Sequence, residues 1–286
     1  MIKYILFLIF LVALFIYKKI KYKLSQRLSN QYHSDKVKNI KLLTWNIQIL
    51  PHFTKSLEKL EEVIQNYDVI ILQEFYTNLW IDKKSWLEKF CKKYKYNIVI
   101  HNKISFKRLN FLDSGLVTLS KFKIIESNNH YFKDSCNIDS FCNKGFLYTK
   151  LKIGDKFINL YNLHAQAFYD TNLEYNIEIS IKQIKQIKEE INLNNKFIII
   201  GGDFNLNSKY INPIFNNLKK NIPNKNTIFV KFKDGQEIDT VSSEEQGYDG
   251  FIYDYFYSKN IDIKNIKAND ENFSDHKYVT ANFDLN

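Results

Sequence analysis

The sequence predicts an α/β fold: a four-layer sandwich of two mixed sheets with outer helices, preceded by one N-terminal hydrophobic helix. Three observations lead there. Short apolar runs alternate with amphipathic segments from Lys41 onward, and the second half of the chain repeats that alternation. The 286 residues, 45% hydrophobic and 25% charged with only 8 Gly and 3 Pro, supply a large core and exclude a collagen-like, low-complexity or disordered protein. The chain accordingly divides into a hydrophobic segment (1–19), a basic linker (20–40) and one domain (41–286).

Taken in order, Tyr4 to Tyr17 is continuously apolar (YILFLIFLVALFIY) and is followed by Lys18, Lys19, Lys21, Lys23 and Arg27. With Ile2 and a snorkelling Lys3 the run approaches the lower limit for spanning a thin bilayer, about 17 residues. A retained signal anchor is the first expectation. A cleaved signal, for which only Ala13 offers a small side chain, and an amphipathic surface segment are the alternatives. After the polar linker, KLLTWNIQIL reads as a strand, LEKLEEVIQNY as a helix, DVIILQEF as a buried strand and KSWLEKFCKKY as a helix, with YNIVIHN and SGLVTLS as strands. The second half continues with GFLYTKLKI, KFINLYNLHAQ, a long helix in NLEYNIEISIKQIKQIKEEINL, then KFIIIGGDFNL, FIYDYFYS and KYVTANFDL.

The net charge of +10 invites a nucleic-acid partner, but its distribution does not. Residues 1–41 hold nine Lys/Arg against the single acid Asp35, leaving only +2 over residues 42–286. Near an anionic leaflet each linker base adds attraction of about 1 kcal/mol. Cys91, Cys136 and Cys142 are too few for a disulfide scaffold and read as free thiols in a reducing compartment, although Cys136 and Cys142 could staple one loop if exported.

Chemistry-bearing side chains gather where these strands end. Asn46 closes TWN, Glu74 closes ILQE, His164 closes YNLH, and Asp203 and Asn205 follow an apolar run and two glycines. Asp254 lies in IYDYF, and Asp275 and His276 precede the final strand. Any one of them reads most simply as a solvated loop residue. Together, two His with several hard oxygen donors are the parts of a metal-assisted hydrolase: oxygen ligands suit Mg²⁺ and His serves proton transfer. Gly201 and Gly202 either allow close backbone approach or form a turn. His33, His52, His101 and His130 fall outside these motifs and read as surface or structural.

The ordered series TWNIQ, ILQEF, NLHAQA, IIIGGDFNL, YDYFYS and SDHKYV resembles the endonuclease/exonuclease/phosphatase superfamily, the deoxyribonuclease-I-like fold, over residues 41–286. Within it, CNKGFLYTKL followed by NLHAQA is most similar to the neutral and bacterial sphingomyelinases. The resemblance implies a Mg²⁺-dependent phosphodiesterase (Mn²⁺ being the alternative ion) that releases the phosphorylated head group of a membrane phospholipid. A metal-dependent endonuclease or another phosphoesterase of the fold is the alternative, and nucleic acid is a partner only under it. By motif, Glu74 would be the principal metal ligand with Asn46 and Asp275 beside it. Asp203 would orient or deprotonate water, and Asn205 and His164 would donate to phosphoryl oxygens. His276 would be the general base or acid, oriented by Asp254, although YDYF departs from the more frequent LDYI. Lys144 of the NKG stretch would meet the substrate phosphate or an active-site acid, a solvated loop lysine being the plain reading. No aromatic pair stands in residues 257–272, where secreted relatives carry a bilayer-entering hairpin, so membrane access falls to the N-terminal segment and its basic linker.

The excess of positive charge after the apolar run favours a cytosolic body, and an Asn272 sequon beside the site, where a glycan would be awkward, agrees. Protease added to sealed microsomes is therefore expected to reach the domain; a protected domain, or a mature N-terminus beyond residue 17, would refute this topology.

Overall fold

The computed structural model describes residues 32–48, 57–76, 81–101, 112–167, 173–225, 227, 232–233, 236–237, 252–271 and 273–285. The apolar N-terminal run, His52 and the Asn272 sequon lie outside them. Among the described residues no helix is long and apolar enough to cross a membrane.

Strands β1 (Ile40–Asn46), β2 (Val69–Gln73), β3 (Asn97–His101) and β4 (Leu116–Ser120) join β13 (Ile263–Asn269) and β14 (Tyr278–Phe283) in a six-stranded sheet ordered β13-β14-β1-β2-β4-β3. A second six-stranded sheet, β5-β6-β7-β8-β12-β9, is built from β5 (Lys123–Tyr131), β6 (Gly145–Ile153), β7 (Lys156–His164), β8 (Phe197–Asp203), β9 (Lys219–Asn221) and β12 (Asp254–Lys259). A small ribbon, β10 (Phe232–Lys233) with β11 (Gln236–Glu237), belongs to neither. Both sheets are mixed, with β1 parallel to β2 and β7 parallel to β8.

Period-two alternation builds the layers. Along β6, Leu147, Leu151 and Ile153 turn inward while Tyr148, Lys150 and Lys152 turn outward. Leu42, Ile71, Leu160, Ile199, Phe256 and Val279 fill the space between the sheets. Outside the first sheet, Leu60 and Ile64 of α1 (Leu57–Ile64) and Leu87 and Phe90 of α2 (Ile81–Tyr94) pack with Trp45 and Leu72. Outside the second, Ile184 and Ile187 of α3 (Leu173–Glu190) and Ile211 of α4 (Ser208–Ile211) pack with Tyr161, Leu163 and Ile200. These are the four layers expected. The sequence reading missed β5, β9 and β13, all at sheet edges. Their burial is largely one-sided or absent, so polar residues erase the alternation by which a strand is recognised.

The segment expected as linker lies against the domain from Tyr32 onward. Tyr32 N donates to Asn97 Oδ1 at 3.3 Å, Asn97 Nδ2 returns a bond to Tyr32 O at 2.8 Å, and Lys36 Nζ lies 2.6 Å from Asp68 Oδ2. Asn97 pairs with Ser120, and Ser120 with Val69 at the start of β2, so the chain joins the domain at the pole opposite the ends of β1 and β2.

Two amides stitch the sheets together across the core. Gln73 Nε2 of β2 donates to Asn162 Oδ1 of β7 at 2.8 Å, and Asn162 Nδ2 donates to Leu72 O at 3.1 Å and Val117 O at 3.0 Å, with both side chains fully buried. Asn162→Ala deletes these bonds, takes the amide partner from the Leu72 and Val117 carbonyls and leaves Gln73 Nε2 only Thr44 Oγ1 at 3.2 Å and Ile71 O at 3.5 Å, so urea titration should show a loss of about 3 kcal/mol; a loss under about 1 kcal/mol would mean the link is dispensable.

Candidate active site

Register alone brings the strand ends together. Asn46 pairs with Gln73, His164 with Asp203, and Asp254 also with Asp203, so three of the expected residues occupy one row across β7, β8 and β12. Two glycines make the row tight. Gly202 has φ +137°, and a Cβ there would sit 2.1 Å from Leu163 O of β7. Gly115, at φ +66°, lies so close to Glu74 that a Cβ would meet its Cα at 2.7 Å. Phe75 N donates to Gly115 O at 2.8 Å, which holds Glu74 in the left-handed region at φ 57°.

Asp203 is the hub. Its Oδ2 accepts from Asn46 Nδ2 at 2.9 Å and Asn205 Nδ2 at 3.1 Å, and its Oδ1 from Asn205 N at 2.8 Å, a turn that places Asn205 at φ 46°. The same Oδ2 lies 3.5 Å from His164 Nε2 and 3.8 Å from His276 Nε2. Asn46 Nδ2 also donates to Glu74 Oε1 at 3.1 Å, and Glu74 Oε1 is 3.8 Å from His164 Nε2. His276 Nδ1 lies 2.7 Å from Asp254 Oδ2. Ser274 Oγ donates to Asn46 O at 2.7 Å and Trp45 Nε1 to His276 O at 2.9 Å, tying the His276 loop to the end of β1. All nine expected residues therefore stand in one connected group.

Three side chains of this group escaped the sequence reading. Gln48 couples Asn46 to Asp275: its N donates to Asn46 Oδ1 at 3.1 Å and its Nε2 to Asp275 Oδ2 at 2.5 Å. Asp139, on a 3-10 turn (Asn137–Phe141), accepts from Lys144 Nζ at 2.7 Å and Ala167 N at 2.8 Å. Ser274 is the third. None carries a strand-end signal. Lys144 itself is buried and committed to Asp139, to Ala165 O at 2.9 Å and to His164 Nε2 at 3.1 Å. Of the two roles expected for it, the structure shows the pairing with an acid, and all three ammonium protons have partners. Elsewhere His130 contacts Glu190 and stacks on Phe146, His33 pairs with Asp35 at the surface, and the three cysteines are buried without forming a disulfide among the described residues.

Burial and charge push the ionisable groups apart. Burial raises Glu74, and it raises Asp203 to about 7 against the pull of His276, with Asp254 adding repulsion. Burial also opposes charge on His276, but Asp254 and Asp203 outweigh it and hold the imidazolium well above its ordinary pKa. His164, desolvated and beside Lys144, is held well below its own. One imidazole is thus charged and the other neutral on either side of one carboxylate.

Carboxylates raised by burial form a site short of positive charge, which a divalent cation fits. Two donor sets present themselves. Asp203, Asp254 and His276 offer ligand atoms within 4.8 Å of one another. However, the Asp254–His276 hydrogen bond commits Asp254 Oδ2 and His276 Nδ1, although Asp254 Oδ1 stays without a hydrogen bond among the described residues, whereas Glu74 and Asp275 supply oxygen only, and the Glu74 side chain keeps 21% exposure. Mg²⁺ prefers oxygen and retains waters, so the Glu74 side suits it better. Asn46, expected to offer an oxygen, here turns its nitrogen to Glu74 and Asp203, its oxygen being taken by Gln48 N.

Residues 43–276 match the Endonuclease/Exonuclease/phosphatase family, and the chain belongs to it. Among curated relatives, a sphingomyelinase C of Bacillus cereus is 28% identical over 199 residues, covering 61% of this chain and 59% of the relative. A phospholipase C of Staphylococcus aureus is 29% identical over 173 residues, covering 56% of this chain and 51% of the relative. The chain thus spans little more than half the length of these relatives. Among solved structures, a Staphylococcus aureus beta toxin variant with bound magnesium ions superposes with a TM-score of 0.64 at 19% identity, over 85% of this chain and 99% of the toxin. An endonuclease/exonuclease/phosphatase family protein from Leptotrichia buccalis gives 0.63 at 19% identity, over 86% of this chain and 100% of that one. At such identities these structures speak for the fold.

Because His276 favours its charged form in the folded protein, its contribution to stability is complete below about pH 6.5 and is lost as pH rises through the folded-state pKa. Asp254→Asn removes the carboxylate behind that shift, so imidazole NMR in the presence of chelator should show His276 losing its proton at lower pH than in the wild type. An unchanged titration would deny Asp254 this role.

Proposed function

We propose that this member of the endonuclease/exonuclease/phosphatase family is a Mg²⁺-dependent phosphodiesterase that hydrolyses a phospholipid phosphodiester and releases the phosphorylated head group, sphingomyelin being the first substrate. One observation carries the reading. The lysine of the NKG stretch and the strand-end histidine of NLHAQ meet in the candidate site, with Lys144 Nζ 3.1 Å from His164 Nε2, and that imidazole faces Asp203. The substrate class comes from the relatives named sphingomyelinase C and phospholipase C.

A phosphodiester repels nucleophiles, and the alcohol it releases is a poor leaving group as its alkoxide, so the site must neutralise charge, activate water and protonate the leaving oxygen. Glu74 and Asp275 would hold the cation, joined by Asn46 once its carboxamide turns over. Mg²⁺ bound there would offset charge on the phosphoryl group. Asp203, with a pKa near 7, takes or orients the water proton. His276, kept cationic by Asp254, gives its Nε2 proton to the leaving oxygen, and pairs of groups with opposed shifts make such assignments. Asn205 Nδ2 is placed to donate to a phosphoryl oxygen. The same role for His164 requires a proton on Nε2, which the adjacent Lys144 ammonium opposes in this arrangement. His164 and Lys144 therefore serve as positioning residues.

Purified protein with Mg²⁺ should release phosphocholine from sphingomyelin vesicles. Nicking of supercoiled plasmid without lipid turnover would instead favour the nuclease alternative. Glu74→Gln should abolish most turnover and recover in part at high Mg²⁺, whereas His276→Ala should fall at least about 10²-fold without metal rescue; near-wild-type rates in either variant would sink the assignment.

A further inference from the structure

On the outer face of the first sheet, away from the candidate site, the edge strand β13, its neighbours β14 and β1 and the segment leaving α1 border an open cavity of about 440 Å³. Lys41, Tyr67, Asn265, Lys267, Thr280 and Asn282 contribute to its walls, and no carboxylate does. Lys41 lies five residues along β1 from Asn46, a separation of about 17 Å at the usual strand rise.

Asn66, also at the rim, donates to Glu62 O and Val63 O, but the other donors converging here find no acceptor among the described residues and face solvent. Lys41 and Lys267 form no ion pair, and the side chains of Tyr67, Asn265 and Asn282 make no hydrogen bond among the described residues. Thr280 Oγ1 accepts from Asn269 Nδ2 at 3.0 Å, which leaves its proton free. The nearby acid is already neutralised, because Asp68 is held by Lys36 at 2.6 Å and Lys121 at 3.7 Å. Burial pushes Tyr67 up to about 12, so its hydroxyl remains a donor.

The backbone is bent to produce this convergence. The β13–β14 register slips between Lys264 and Lys267, and within that bulge Asn265 takes φ 53°. Bulges re-aim side chains, and a left-handed asparagine is a cost borne where surroundings demand it. Asn265, inside the bulge, and Lys267, at its end, both line the cavity.

We infer that this cavity is a second binding site, for a phosphate monoester on a hydroxylated carrier. Two ammonium groups match the charge of about −1.5 to −2 on a phosphate monoester, and hydroxyl and amide donors suit its oxygens and an attached polyol. The volume lies within the range of small-molecule pockets. The same chemistry is offered by a free sugar or glycerol phosphate and by the head group of an anionic phospholipid.

The test compares the full chain with its Lys41→Ala/Lys267→Ala variant, with chelator present to silence turnover. One arm titrates glycerol 3-phosphate by calorimetry. The other measures co-sedimentation with phosphatidylcholine vesicles with and without phosphatidic acid. The wild type should bind saturably to at least one probe, and the variant should bind that probe at least about tenfold more weakly. Loss confined to the phosphatidic acid vesicles identifies a lipid head group as the source; loss with glycerol 3-phosphate identifies a soluble ester. Turnover of a soluble phosphodiester with Mg²⁺ should be the same in both proteins. Equal binding by both proteins, no saturable binding by the wild type, or a matching fall in turnover would overturn the proposal.

Discussion

A carboxylate with no exposed surface at the end of a central strand cannot stand alone, and Asp203 does not. Its oxygens take donors from Asn46 across the sandwich and from Asn205 beyond the strand, and the imidazoles of His164 and His276 face it. Because Asn46 ends β1 of the other sheet, this shared carboxylate joins the sheets where the chemistry would occur. The Gln73–Asn162 amide pair repeats that junction deeper in the core, so the candidate site is fixed from beneath.

Close approach has been obtained through backbone. Gly202 lets β8 lie against the carbonyl of Leu163, and Gly115 lets β4 touch the backbone of Glu74. Side chains at either place would drive the strand ends apart. The polar residues can then be short and buried, their orientation set by register and by hydrogen bonds to neighbouring loops. Trp45 adds to this, its indole N–H fixing the His276 carbonyl while its ring meets Phe273 and Tyr278.

One hub serves two imidazoles in opposite states because their outer partners differ. His276 has Asp254 behind it and carries charge; His164 has the ammonium of Lys144 beside it and does not. Another carboxylate of that neighbourhood, Asp139, answers Lys144 and leaves Asp203 to the two imidazoles and Asn46. The distribution separates a proton donor from an acceptor within a few ångströms, which general acid–base chemistry requires.

What the sequence by itself determined were the parts with a periodic or terminal signal: apolar runs of the central strands, amphipathic helices, and polar residues such as Glu74, His164 and Asp203 closing strands. Those signals arise because burial is dictated locally by side-chain period. Edge strands β5, β9 and β13 lacked it, being half solvated. Tertiary structure alone decided the partners. Gln48 and Asp139 sit in ordinary loop sequence and acquire meaning only when a distant segment delivers Asp275 or Lys144. Lys144 read as a partner for the substrate phosphate or for an acid of the site, and the fold set it on Asp139 and against His164. The Lys41–Lys267 cavity was equally illegible, since its residues come from strands far apart in the chain and from a bulge that no local pattern announces. Distances of hydrogen-bond length between such residues are set by register and packing, which a linear sequence encodes only collectively.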